Sequence, residues 1–252
     1  MEKRRRKRSS RSATMYISIS ALVIVILTVL GVSGFLRIMV IDVEGTARYS
    51  PEDIIMASGV SKGDNLLFLD TESIEERIVS AMPFVSSAAI SRVLPDGIVI
   101  EIEESVPVAA IRTNYGIIII DSDGRVLEMV GVAAPGLIDV IGVTPVSTTV
   151  GQPLRTEITN EAQHLREILT MMERGNILND VSDIDFTNIG RISFGYTERF
   201  RVILGEPNNL QQKINWILNP DTVVRINREF GADAIGEINV SNPSEVGFLV
   251  TP

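Results

Sequence analysis

The chain has 252 residues, a formal net charge of −9, one histidine and no cysteine. Without cysteine there is no disulfide framework, so an exported domain must be held by its core alone or with a partner. The mean charge hides two populations. Residues 1–12 carry seven basic residues and one acid, which leaves 16 basic and 31 acidic residues from 13 to 252, a balance that argues against a nucleic-acid partner for the body of the chain.

Residues 1–14 read as a basic tail, with Arg4, Arg5, Arg6, Lys7 and Arg8 at its centre. Met15 to Leu36 holds no charged residue. As a helix it rises about 33 Å, enough to span a hydrocarbon core. Met15, Leu22, Leu30 and Leu36 mark its length as a membrane anchor. A cleaved signal peptide would have an apolar region of roughly 7–15 residues and a small-x-small cleavage site; this run is longer and Val32-Ser33-Gly34 is a poor site. The basic cluster beside the run predicts a cytoplasmic N-terminus and an extracytoplasmic remainder, with the cluster attracted to anionic lipid. If the span also packs against a partner helix, the small residues Gly31, Ser33 and Gly34 are where close approach is possible.

Ile38–Glu44 reads as a strand with Ile41 and Val43 on one face, broken by Gly45. Ser50-Pro51-Glu52-Asp53 is a helix start, with Ser50 as N-cap and Pro51 in the first turn, and Gly59 can end that helix. After the Gly63-Asp64-Asn65 turn and the apolar Leu66–Leu69, Asp70 or Thr71 caps a second helix striped by Ile74, Ile78 and Met82 and ended by Pro83. Val85–Val93 and Ile98–Glu103 are strands around the turn Pro95-Asp96-Gly97, and Ile98, Ile100 and Ile102 alternate with Val99, Glu101 and Glu103. Residues 37–104 thus give strand, helix, helix, strand, strand, an α+β layer.

From 105 to 252 the texture is that of a mixed, mainly antiparallel β domain with helices. Strands are expected at Val108–Arg112, Gly116–Ile120 and Arg125–Val130. Short strands and loops follow over 131–157, and a helix from Thr159 or Asn160 to Gly175. Val181–Asn188, Arg191–Tyr196 and Phe200–Gly205 read as a meander. Pro207 opens another helix along Leu210, Ile214, Ile217 and Leu218; loop follows to Ala234, and Ile235–Val240 and Glu245–Thr251 are the last strands.

No constellation of residues supports catalysis. His164 sits beside a helical stripe; alone and without cysteine it makes no zinc site, and it leaves no second histidine for a Ser-His-acid hydrolase. Asp121-Ser122-Asp123-Gly124 resembles the start of a calcium loop, but its glycine comes too early and Val130 stands where the closing glutamate belongs, so it reads as a hairpin turn. Ser80-Ala81-Met82-Pro83 resembles the setting of a membrane-anchored signal-peptidase serine. That chemistry needs a lysine kept neutral by burial, and neither Lys62 nor Lys213 lies in an apolar strand. Glu101, Glu103 and Glu104 lack the cleft, with carboxylates roughly 5–10 Å apart, that sugar hydrolysis requires, and Trp216 is the sole tryptophan. Neither a metal nor an organic cofactor is implied.

An ordered series of residues carries more than topology. Val43-Glu44-Gly45, Ser50, Gly63–Phe68, Pro83-Phe84-Val85, Arg92–Asp96, Ile100–Glu104 and Pro107-Val108-Ala109 together resemble the polypeptide-transport-associated (POTRA) domain of the FtsQ/DivIB cell-division family. A short basic tail, one span, a POTRA domain and a following β domain resemble the family's whole architecture. The tail is short for that family, and Asn239 stands where an acid is expected in the closing strand. The resemblance implies a non-catalytic scaffold in the bacterial plasma membrane, concentrated at the division septum. It further implies partners of the FtsL and FtsB/DivIC kind, small bitopic coiled-coil proteins, and influence on septal peptidoglycan synthases. A partner strand would add to the β domain near its C-terminus. Val246, Phe248, Leu249 and Val250 are then the candidate partner-binding residues, with Phe248 and Val250 on one face; a final strand paired on both edges is the alternative. The edge beside Val85–Val93 is a second candidate. The competing functions are another POTRA-bearing secretion component and a membrane-anchored hydrolase.

Overall fold

The computed structural model describes residues 10–158, 160–231 and 233–251; within these, the side chains at 10–14, 28–30, 32–35, 220, 223, 227, 230, 250 and 251 are not described. The basic cluster Arg4–Arg8 therefore lies outside the described residues. Helix α1 runs Ser10–Phe35. Among the described residues no helix is long and apolar enough to cross a membrane. The described side chains of α1 are those of 15–27 and 31, so that of Leu30 lies outside them.

Beyond α1 the chain forms two compact units. The first takes residues up to Ile78 and Ser87–Glu103, and the second takes Val79–Ser86 and everything from Glu104.

In the first unit, β1 (Val40–Glu44) lies parallel to β3 (Gly97–Glu104), and β2 (Val85–Val93) completes a sheet of order β1-β3-β2. Helix α2 spans Pro51–Ser58 and α3 spans Thr71–Ala81, with a 3-10 turn at Leu66–Phe68 between them. Local chemistry sets these limits. Ser50 Oγ accepts the Asp53 N–H at 3.2 Å, and Asp70 Oδ1 accepts the Ser73 N–H at 3.3 Å. Each satisfies a backbone donor that the first helical turn leaves free. Gly45 has φ +82° and packs so close to β3 that a Cβ there would meet Ile102 O at 2.1 Å, which only glycine tolerates. Ile54, Ile74, Ile78, Ile98, Ile100 and Ile102 are buried while Glu101 and Glu103 are exposed, as the alternation predicts.

The second unit is built on a nine-stranded mixed sheet. Its strands are β4 (Ala109–Thr113), β5 (Gly116–Ile120), β6 (Val126–Val130), β7 (Ile138–Ile141), β10 (Val181–Asp185), β11 (Ile192–Tyr196), β12 (Phe200–Gly205), β13 (Ile235–Asn239) and β14 (Gly247–Thr251), while β8 (Pro145–Ser147) and β9 (Arg155–Thr156) pair separately. The order is β14-β13-β12-β11-β10-β7-β4-β5-β6. Strand β7 runs parallel to both β4 and β10, and β12 parallel to β13; the remaining neighbours are antiparallel. Strand β5 is apolar at every position from Ile117 to Ile120 because both its faces are covered. Ile118 and Ile120 join the main core, and Ile117 and Ile119 join a smaller cluster with Ala133 and Leu137. Helices α4 (Glu161–Arg174), through Leu165, Ile168, Leu169 and Met172, and α5 (Leu210–Leu218), through Leu210, Ile214 and Ile217, bury their stripes in the main core.

Three expectations need correction. The stretch after Leu218 is not loop: Pro220–Phe230 is a helix, α6. Asn219 Oδ1 accepts the Asp221 N–H at 3.0 Å and Pro220 holds the first helical position, a start signal that in the bare sequence passes for a turn. Helix α5 begins at Leu210, after Pro207, because Lys213 ties residues 206–208 into a loop. Strand β10 stops at Asp185, where its carboxylate accepts the Thr187 N–H at 2.8 Å and turns the chain.

Candidate functional site

Strand β14 lies at one edge of the large sheet and, among the described residues, pairs with β13 alone. Its register is Asn239↔Gly247, Ile238↔Phe248, Glu237↔Leu249, Gly236↔Val250 and Ile235↔Thr251. The backbone direction of each residue follows. Gly236 N donates to Arg199 O (3.2 Å) and Val240 N to Ile203 O (2.9 Å), so the even-numbered residues of β13 turn their amides toward β12. Alternate residues of a strand direct their polar groups to opposite sides, so Glu237 and Asn239 face β14. Leu249 and Gly247 then form the hydrogen-bonded pairs with them. Val250, between Leu249 and Thr251, points its N–H and C=O groups away from β13, along the edge.

The side chains divide differently. Phe248 is half-buried and packs on the core with its ring 5.5 Å from that of Trp216, at 46°. The Arg225 guanidinium lies 5.7 Å from the same indole. Val246 also packs on this core, whereas Leu249, on the opposite face, is 71% exposed. The side chain of Val250 lies outside the described residues. Of the four candidate residues, two therefore anchor the strand to its own domain, and Leu249 stands clear of it. Asn239, in the place where an acid is expected, accepts the Ser241 N–H (3.0 Å) and hydroxyl (2.6 Å) and closes the turn after β13. Sequence reasoning misses Arg225, because its helix reads as loop.

The other sequence candidates lie apart from this edge. His164 sits at the boundary of α4 with Nδ1 3.7 Å from Glu167 Oε2. Asp121–Gly124 forms the turn between β5 and β6: Gly124 N donates to Asp121 O (3.1 Å), and the buried carboxylate accepts from Arg125 N (2.8 Å) and Ser105 Oγ (2.9 Å). Lys213 is buried, and burial lowers the pKa of its ammonium. Its Nζ donates to Glu206 O (2.8 Å) and Asn208 Oδ1 (2.9 Å), so this lysine secures a loop, and neither of those partners is Ser80. In the smaller sheet β2 is an edge strand, as its candidacy requires.

A three-stranded sheet with a parallel β1–β3 pair and two helices, followed by a large mixed sheet, is the α+β arrangement of a POTRA domain leading into a β domain. Residues 36–105 match the family model described as "POTRA domain, FtsQ-type". Cell division protein DivIB of Clostridium tetani is 25% identical over 182 residues, covering 72% of this chain and 68% of that protein. DivIB of Clostridium acetobutylicum is 27% identical over 189 residues, 73% of each. Cell division protein FtsQ of Corynebacterium glutamicum is 31% identical over 124 residues, 48% of this chain and 55% of that protein. The chain is thus similar to the FtsQ/DivIB cell-division proteins, as the ordered motifs of its first domain imply.

Proposed function

We propose that this chain is a bitopic scaffold of the bacterial division machinery, which gathers small coiled-coil proteins of the FtsL and FtsB/DivIC kind and influences septal peptidoglycan synthesis. The FtsQ-type POTRA match over 36–105 carries the reading, and the DivIB and FtsQ relatives support a role in cell division. The anchor is the uncharged run Met15–Leu36, supported by the helix Ser10–Phe35 and by the basic tail that sets its orientation. The partner site is the open edge of β14. There the outward amide and carbonyl of Val250 supply affinity for an added strand, and Leu249 supplies a side-chain contact. No catalytic step is assigned.

A fluorescent fusion of the full chain tests this reading. The expected result is a band at midcell that coincides with new septal wall. A uniform membrane signal in dividing cells would overturn the divisome assignment in favour of a secretion component.

A further inference from the structure

Four large apolar side chains stand open at one end of the POTRA sheet: Met39 (58% exposed), Leu67 (49%), Phe68 (77%) and Leu94 (67%). Topology brings them together. Strands β1 and β3 are parallel and start opposite one another, Val40 against Gly97. Strand β2 ends at Val93 and turns through Leu94–Asp96 into β3, so the hairpin tip lies at that same end. Met39 N and Val40 N both donate to Asp96 O, at 2.8 and 3.2 Å. Arg92 draws the 3-10 turn to this end, with Nε on Leu66 O (2.9 Å) and Nη2 on Leu69 O (2.6 Å).

This is also the end at which the uncharged run delivers the chain. Leu36, its last residue, accepts the Leu66 N–H at 2.9 Å. Gly63 N donates to Ile38 O at 2.7 Å, and Ile38 N to Asp64 O at 2.9 Å. Leu67 and Phe68 are therefore one and two residues from a direct hydrogen bond to the end of the run. Single exposed apolar residues are ordinary on a protein surface, but a cluster of them marks a contact site. Arg37 and Lys62, in the same two segments, supply cations of the kind that settle among lipid phosphates.

We infer that this end of the POTRA domain sits in the headgroup–acyl boundary of the outer leaflet, with Met39, Leu67, Phe68 and Leu94 on its apolar side and Arg37 and Lys62 among the phosphates. The inference rests on the reading of Met15–Leu36 as a span. A seat of this kind holds the domain by several contacts instead of a single tether, and so fixes its orientation to the bilayer.

The chain has no cysteine, so each introduced thiol is unique. The full chain is reconstituted in phosphatidylethanolamine–phosphatidylglycerol vesicles with an environment-sensitive fluorophore at Leu67→Cys, Phe68→Cys or Leu94→Cys. Leu22→Cys serves as the control within the span, and Ala47→Cys as the control in the turn beyond the far end of β1. Lipids spin-labelled near the headgroup should remove most of the emission at 67, 68 and 94 and leave 47 bright; lipids labelled near the chain terminus should quench 22. Quenching at 22 with emission at 67, 68 and 94 as in water would overturn the seat and leave the span standing. No quenching at 22 would remove the span itself, and the seat with it.

Discussion

The rings of Trp216 and Phe248 lie 5.5 Å apart, joining helix α5 to the last strand of the sheet. Trp216 is the only tryptophan in the chain, so its emission reports whether β14 is docked. Phe248→Ala removes the ring that shields the indole. A fully buried phenylalanine costs roughly 3–5 kcal/mol on truncation, and for this half-buried one about 2 kcal/mol is expected. Denaturant unfolding followed by fluorescence should show that loss together with a red-shifted native spectrum. An unshifted spectrum would mean that the indole is shielded by other groups.

Proline separates the two sides of β14. At Val250 it removes an amide that faces the open edge, where proline is tolerated. The Val250→Pro chain should keep its unfolding midpoint and lose binding of a strand-donating partner, read as loss of the septal band. At Leu249 proline removes the amide paired with Glu237, and the chain should lose about 1–3 kcal/mol of stability. Partner binding retained by a folded Val250→Pro chain would move the site elsewhere, with the β2 edge next in line.

These contrasts are only partly legible in the sequence. The motif series of the POTRA domain is local: a Ser-Pro helix start, one isoleucine stripe and one alternating strand each suffice to place an element, and the boundaries at Pro51, Thr71 and Val85 agree with the structure. The Asn219-Pro220 pair has the same chemistry as Ser50-Pro51, yet it reads as a turn because it follows another helix directly. The insertion of β7 between β4 and β10 is a long-range pairing that no local pattern encodes. The division of labour within β14 is invisible for a different reason. Alternation sets Phe248 and Leu249 on opposite faces but does not say which of the two faces is the core. The outward direction of the Val250 amide depends on the register with β13.

Gly195 makes room for an ion pair. Strand β11 lies between β10 and β12, and a register shift in β10 sets Ser182 and Asp183 against Gly195. Gly195 is paired on its other side with Arg201, and Arg201 Nη1 donates to Asp183 Oδ2. A Cβ at 195 would meet Ser182 Oγ at 2.2 Å and Asp183 Oδ1 at 2.6 Å. Gly195→Ala should therefore push the Asp183 carboxylate off Arg201 and cost about 1–2 kcal/mol, since the displaced groups are only partly exposed. In the Asp183→Ala background the same alanine should cost less. Equal costs in both backgrounds would show that the glycine serves the backbone alone.

Two buried carboxylates give the fold a pH dependence opposite to that of a salt-bridged acid. Burial raises the pKa of Asp121 above the ordinary carboxylate value, against the lowering effect of the Arg125 amide and the Ser105 hydroxyl. Burial likewise raises that of Glu161, whose carboxylate oxygens have no hydrogen-bond partner of normal geometry; the Thr144 backbone opposes the shift only in part. A raised value means that the folded chain holds the proton to higher pH than the unfolded chain does. From about pH 4 upward the native state then binds more protons, and stability falls as pH rises through the folded value. Asp121→Asn keeps an oxygen for the Arg125 amide, and the Ser105 hydroxyl can turn to accept from the new Nδ2. This variant, and Glu161→Gln, should match the parent near pH 4 and exceed it in unfolding midpoint near pH 7. An Asp121→Asn chain less stable than the parent at neutral pH would show that the turn uses the ionised carboxylate.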